Sequence, residues 1–250
     1  MTEMGVILDI TRLIIGILIL GYASYTDIKT RHASNMLWVL MGIIGAVLIL
    51  IQYLTNSFEV NIIYLVFIPI MIILVYVLFQ LRLIFGGADA KALMALAVLL
   101  PFPVLQWIPT NIGLPNLPYG ETQLPYCWGV FFNALFIFLF IPLALFIFNI
   151  IKRDFRFPHV FLGYKMTTEK AREKFVWPLE KIENGKQKFV YMPKEFDIDE
   201  ELNKFQQNNI KEIWVTPKIP FMIPLLFGFI CAFIFGDLLN HIMNFFQTLF

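Results

Sequence analysis

Residues 61–100 read NIIYLVFIPIMIILVYVLFQLRLIFGGADAKALMALAVLL. The run from Ile62 to Phe79 is apolar and long enough to cross a bilayer, which takes ~20 such residues for ~30 Å of hydrocarbon. A second apolar run starts at Ala92. Between them, Gly86-Gly87-Ala88-Asp89-Ala90-Lys91 sets two glycines, a carboxylate and an ammonium group. A charged side chain at the bilayer centre costs on the order of 3 kcal/mol or more, so a charge here is a functional candidate. Asp27, at the end of another apolar run, has the same character.

The rest of the chain supports a membrane reading. Of its 250 residues, 59% are hydrophobic, 27 are phenylalanine and only 15% are charged, whereas soluble domains carry about a quarter charged. The net charge of +1 gives no reason to expect nucleic acid. Cys127 and Cys231 lie in apolar runs with no Cys-x-x-Cys spacing, and His32, His159 and His241 are scattered. Neither set forms a metal-ligand or redox pattern, so no metal and no cofactor are expected. No internal repeat of the transporter kind is present. Segment one does not read as a cleavable signal, because its n-region carries Glu3 and Asp9 with only Arg12 as a cation and no small-x-small cleavage site follows.

In chain order, apolar segments fall at about 6–25, 36–54, 61–81, 91–101 (or to Trp107), 126–151 and 219–235. The prolines at 101 and 103 end or kink the fourth. Asp9 and Arg12 share a helical face. From Leu13 to Thr26 a helix rises about 21 Å, which puts Asp27 near the opposite membrane surface. Residues 238–250 are short and amphipathic and suit the interface. The expected fold is an all-α polytopic membrane protein of six transmembrane helices with a small α+β cytoplasmic insert before the last. Its parts are a membrane domain over 1–151, the insert over 152–218, and the sixth helix with an interfacial tail over 219–250.

Six spans put both termini on one side. Of the 19 lysines and arginines, all but Arg12 fall on the face of the 27–35 loop, the 82–91 stretch and the 152–218 region. The positive-inside rule makes that face cytoplasmic and the termini external. Asp27 and Asp89 then share the cytoplasmic face of the cell membrane, while Asp237 lies on the other. Within the insert, residues 167–174 read as a helix-like stretch, and Lys188–Met192 and Glu212–Thr216 as short strands able to pair. Asp197, Asp199, Glu200 and Glu201 read as a solvated acidic face, with docking of a basic peptide as the alternative.

Two neighbouring carboxylates share one proton, because ionising both is costly. Such a pair can activate water: one member takes its proton and the other protonates the scissile carbonyl oxygen. Glycines 86 and 87 permit extended backbone and close approach to a substrate. Each residue also has a structural reading. Asp27 is an ion-pair partner for Lys29 or Arg31, Asp89 a helix N-cap, and Lys91 a side chain reaching for the interface. The residues alone leave open a catalytic pair, a proton- or cation-coupled transporter using the same aspartates, and a scaffold that recruits partners through the insert.

Gly86-Gly87-Ala88-Asp89 resembles the signature of the GxGD intramembrane aspartyl proteases, with Ala88 where the name has glycine. Asp27-Ile28-Lys29-Thr30-Arg31 followed by Asn35 resembles the other half of the type IV prepilin peptidase pattern, and Lys91 stands two after the aspartate as is common there. The layout, with Glu212–Pro217 and Ile219-Pro220, is similar to the archaeal preflagellin peptidases. The cysteine quartet of prepilin peptidases that also methylate is absent. Presenilin-like proteases differ too: Thr26 precedes Asp27 here, and no Pro-Ala-Leu occurs. The resemblance implies an aspartic endopeptidase that removes short basic leader peptides from preflagellin or type IV pilin-like precursors at the cytoplasmic face of the lipid bilayer. It carries catalysis to Asp27 and Asp89, and shaping of the site to Gly86, Gly87, Ala88 and Lys91.

Overall fold

The computed structural model describes residues 3–55, 62–81, 83–84, 86–102, 126–183, 185–190 and 198–249. The loops expected at 55–60 and 108–125, Arg82, the end of the 188–192 strand and Asp197 lie outside the described residues, apart from Thr55. The chain divides into two compact units, residues 1–138 with 220–250, and residues 139–219.

The first unit is helical. It contains α1 (Glu3–Thr30), α2 (Asn35–Leu54), α3 (Phe67–Gln80, preceded by a 3-10 turn from Ile62), α4 (Gly87–Leu99), the first half of α5 (Tyr126–Ile151), α9 (Met222–Phe235) and α10 (Leu238–Leu249). Three helices, α1, α2 and α5, are long and apolar enough to cross a membrane. Helices α3, α4 and α9 have 13 or 14 residues each and rise only about 20 Å. Ile14, Leu18 and Tyr22 on α1 and Leu40, Ile43 and Val47 on α2 point outward. Rows of exposed apolar side chains this long suit lipid and not water.

Helix α4 lies at the centre. Ala92, Leu93, Leu96, Ala97 and Leu99 are each fully buried. A helix apolar all round has to be enclosed, and its alanines let neighbours come close, as small residues do between membrane helices. α2 comes closest: a Cβ added at Gly45 would stand 2.8 Å from the Leu99 backbone. On the other side, α1 packs against α9. The Phe229 ring fills the space over Gly16, and Ser24 Oγ donates to Met222 O at 3.1 Å. Gly228 of α9 abuts the backbone of Ala134 in α5. Arg12 is buried, as its distance from any helix end requires it to find partners. Its guanidinium donates to Asp9 Oδ1 and, across to α2, to Gln52 Oε1, both at 2.7 Å. The expected Asp9 pairing is present, and the α2 contact adds a link between helices.

The second unit runs from the latter half of α5 through α6 (His159–Leu162), β1 (Tyr164–Thr167), α7 (Thr168–Glu173), β2 (Val176–Pro178), β3 (Glu180–Glu183), β4 (Lys186–Phe189), α8 (Ile198–Gln207) and β5 (Glu212–Pro217). β5 is the centre of an antiparallel sheet, order β1-β5-β2, with Trp214 opposite Lys165 and Thr216 opposite Trp177. β3 and β4 form a separate hairpin. The expected strands at 188 and 212 therefore exist but do not pair with each other. Alternating side chains predict a strand, yet its partner depends on contacts distant in sequence. The expected helix is α7, capped by Thr167, whose side chain accepts from Lys170 N. Phe205, Leu202, Ile213 and Val215 form the core beneath.

Asn149, near the end of α5, is buried and donates to the carbonyls of Val160 and Gly163. Beside it, buried Glu180 accepts from Arg156 Nη1 at 2.6 Å and from Trp214 N. His159 Nε2 lies 3.5 Å from the same carboxylate, whose charge Arg156 already engages. Burial, reinforced by the Arg156 guanidinium, holds the imidazole down at about 4.

Two predictions follow from packing and burial. Gly45→Ala places a methyl against the α4 backbone, which cannot yield as a side chain can. It should lower stability by about 1–3 kcal/mol, whereas Gly42→Ala, with open space at its Cβ, should not; thermal unfolding in detergent compares them. The second concerns acid. His159 has its full stabilising effect above its unfolded pKa of ~6.5. The unfolded form binds the extra proton below that, so stability falls as pH drops from ~6.5 toward about 4 and then levels. Hydrogen exchange across 159–217 should speed up in that window, and His159→Gln should flatten the response.

Candidate active site

Asp27 occupies the last turn of α1, half-buried. Just beyond it, Arg31 adopts a left-handed backbone (φ 56°) and its N–H donates to Asp27 O at 3.0 Å. This ends the helix and brings the Arg31 charge to bear on the Asp27 carboxylate. Three residues on, Ser34 caps α2, its hydroxyl accepting from Met36 N. The basic loop is thus a tight reversal, and α1 and α2 run antiparallel with Arg12 and Gln52 meeting at the far end.

The second half of the site is the start of α4. Gly86 is its N-cap, in an extended conformation (φ −87°, ψ 116°), and Asp89 lies in the first turn. The expectation of a glycine-rich break running to Lys91 is therefore shifted: the helix begins at Gly87 and takes Asp89 and Lys91 into its opening turn. Nor is Asp89 the N-cap. The reason for glycine differs as well. Neither Gly86 nor Gly87 is among the positive-φ glycines, which in the described residues are Gly185 and Gly236. Gly86 leaves room for the Asp89 carboxylate: a Cβ there would stand 2.1 Å from Asp89 Oδ2 and 2.8 Å from its Cγ and would push that side chain aside. The carboxylate folds back over Gly86, in the volume any other side chain would occupy. At Gly87 a Cβ would meet only the Phe79 ring, at an ordinary 3.8 Å.

The fold brings the two halves together. Asp27 and Asp89 are near enough for the charge of one to act on the other. Lys91 Nζ donates to Asn35 Oδ1 at 2.8 Å, so the expected interfacial lysine also bridges α4 to the first residue of α2. With Gly45 against Leu99 further along, α2 and α4 run parallel with their N-termini at the same end. Two helix N-termini supply positive partial charge there. Ala88 is half-buried and packs on the bundle core. Asn35 stood in the sequence pattern without a role; its place eight residues past Asp27 was the signal. Among the described residues, no three His, Cys, Asp or Glu side chains converge as a metal-ligand set.

A helical membrane bundle with two carboxylates at helix ends within electrostatic reach of each other can support proton transfer or ion binding, and comparison with known proteins gives the family. Residues 14–151 match the type IV leader peptidase family, and residues 156–238 match the archaeal peptidase A24 C-terminus type II. The preflagellin peptidases of Methanococcus maripaludis and Methanocaldococcus jannaschii are each 30% identical to the chain, over 90% of it and 94% and 93% of theirs. That of Methanococcus voltae is 27% identical over 89% of this chain and 94% of its own. The chain belongs to the type IV leader peptidase family; it is a membrane protease.

The Lys91–Asn35 hydrogen bond is solvent-exposed, so its coupling should be modest. A double-mutant cycle of Lys91→Met and Asn35→Ala, read by unfolding in detergent, should give about 1 kcal/mol. Strictly additive effects would mean that the bond does not hold α2 to α4.

Proposed function

We propose that this chain is an aspartic endopeptidase of the GxGD type that removes short basic leader peptides from preflagellin or type IV pilin-like precursors. The observation that carries the reading is the placement of Asp27 at the end of α1 and Asp89 at the start of α4, within electrostatic reach of each other, in a chain whose relatives are preflagellin peptidases. Helices α1 to α5 and α9 are six spans, with 1–151 as the membrane domain, 152–218 as a cytoplasmic insert and 219–250 as the last span and tail. Both termini are outside, and both aspartates lie at the cytoplasmic face. The distribution of lysine and arginine supports this arrangement, and so does the place of both aspartates at helix ends, where water has access.

In the reaction, the pair holds one proton. The ionised member takes a proton from water as its oxygen adds to the scissile carbonyl carbon, and the protonated member donates to the carbonyl oxygen. Collapse of the tetrahedral adduct breaks the C–N bond, with a proton passing to the leaving amine. Gly86 leaves the Asp89 carboxylate room to stand over the backbone, Ala88 is the small third member of the motif, and Lys91 fixes the opening turn of α4 against α2. A precursor with a positively charged leader suits a site built around two carboxylates.

Asp27→Asn and Asp89→Asn should each lower cleavage of a leader-bearing precursor by at least about a hundredfold while the protein stays folded and inserted. Gly86→Ala, which leaves both carboxylates but displaces that of Asp89, should cost roughly 10–100-fold; Gly87→Ala should cost far less. Undiminished cleavage by Asp89→Asn membranes, or ion flux in proteoliposomes that depends on Asp27 without any proteolysis, would overturn the assignment in favour of a transporter.

A further inference from the structure

Beyond α5, the second unit hides most of its large apolar side chains among the described residues. Between 152 and 219, the large hydrophobic residues exposed among the described ones are Phe155, Phe157, Phe175 and Trp177, from 41% to 76% exposed, while Phe205 and Trp214 are buried. They are all aromatic, and they fall in two short segments. Phe155 and Phe157 follow directly on the end of α5 at Ile151. Phe175 and Trp177 lie beside the other end of the unit: Trp177 pairs with Thr216, Val176 with Pro217, and Phe175 O accepts from Lys218 N at 3.0 Å. Each pair thus flanks one of the two points at which the chain passes between this unit and an apolar helix. A lysine stands at each point. Lys152 Nζ lies 4.4 Å from the centre of the Phe148 ring, and Lys218 Nζ 4.9 Å from that of Trp177.

Aromatic rings with lysines beside them are the composition of a membrane–water boundary. The rings take the depth of the headgroups, and lysine stems cover apolar surface while the ammonium reaches out. Exposed rings beside lysines at both points where the chain joins an apolar helix suit that boundary better than bulk water. We propose that these two aromatic segments, with Lys152 and Lys218, seat the insert on the headgroup layer of the bilayer, the lysines meeting anionic lipid phosphates. The inference rests on reading α5 and α9 as membrane helices. It makes the insert an interfacial element resting on the lipid at both of its ends.

The test uses the full chain in nanodiscs of phosphatidylcholine with phosphatidylglycerol. Nitroxides are placed singly at 157 and 177, at 170 and 188 on the polar side of the unit, and at Leu139 and Phe227 on the apolar helices, in a Cys231→Ala background. Collision with oxygen, which concentrates in lipid, is compared with collision with a water-soluble nickel chelate. Positions 157 and 177 should favour oxygen several-fold over 170 and 188, approaching 139 and 227. Preference for nickel at 157 and 177 overturns the proposal, and shielding from both reagents overturns it in favour of a protein surface over these segments. Nickel access at 139 and 227 would instead remove the membrane-helix reading beneath it. Should the labelled variants fail to fold, Trp177→Phe in the native chain decides: brominated lipid should quench its tryptophan emission less than that of the parent, and equal quenching overturns the seat. Leader cleavage, measured alongside, separates failure here from failure of the protease assignment.

Discussion

A helix buried on every side has no face on which to keep a charge, and α4 is such a helix. From Ala92 to Leu99 it offers its neighbours alanine, leucine, methionine and valine, so its two charged residues are confined to the opening turn, where the bundle ends. The same composition lets α2 approach until Gly45 touches the α4 backbone. A helix gripped this tightly cannot slide or turn without collisions. The position of its first turn, and with it the Asp89 carboxylate, is therefore set by apolar packing some eight residues away. Polar contacts at the site, such as Lys91 with Asn35, adjust a position the core has already chosen.

The chemical consequence lies in how little the site asks of its immediate surroundings. A carboxylate lying against Gly86 has its orientation limited by backbone, and a backbone is stiffer than a rotamer-rich side chain. Asp27 is held differently, through a helix end that turns sharply at Arg31. Asp27 and Asp89 thus stand on supports of different kinds, a helix end and a helix start. Their mutual repulsion when both are ionised acts against packing on one side and against a loop reversal on the other.

Much of this was written in the sequence. The apolar runs gave α2 and α5 nearly residue by residue, and α1 with several further residues at each end (Glu3–Thr30 against 6–25), because period and length suffice for a helix that satisfies its own backbone. The rise from Leu13 to Thr26 located Asp27 at a helix end. What stayed hidden depends on distant neighbours. Gly86 looks like a hinge in sequence, and only the folded chain places Asp89 Oδ2 in its side-chain volume. Gln52 looks like an ordinary polar residue near a helix end until Arg12 is seen to need it. Strand β5 was legible, but not its partners, since nothing local distinguishes residues 164–167 and 176–178 from 186–189 as the segments that flank it.

The distribution of these contacts divides the helices of the first unit into two sets. α1 is fastened to α9 by Phe229 over Gly16 and by Ser24 on Met222, so Asp27 rides on that pair. α2 is fastened to α4 by Gly45 and by Lys91 with Asn35, so Asp89 rides on the other. The sets are tied by Arg12 to Gln52, about 22 Å along α1 from Asp27 at 1.5 Å per residue. A tie between buried polar groups is strong, because breaking it strands a charge away from water. It also lies at the opposite end from the carboxylates. At the carboxylate end the two sets share one apolar core that takes in Ala23 of α1, Ala33 of the 31–34 reversal, Trp38 of α2 and Ala90 of α4.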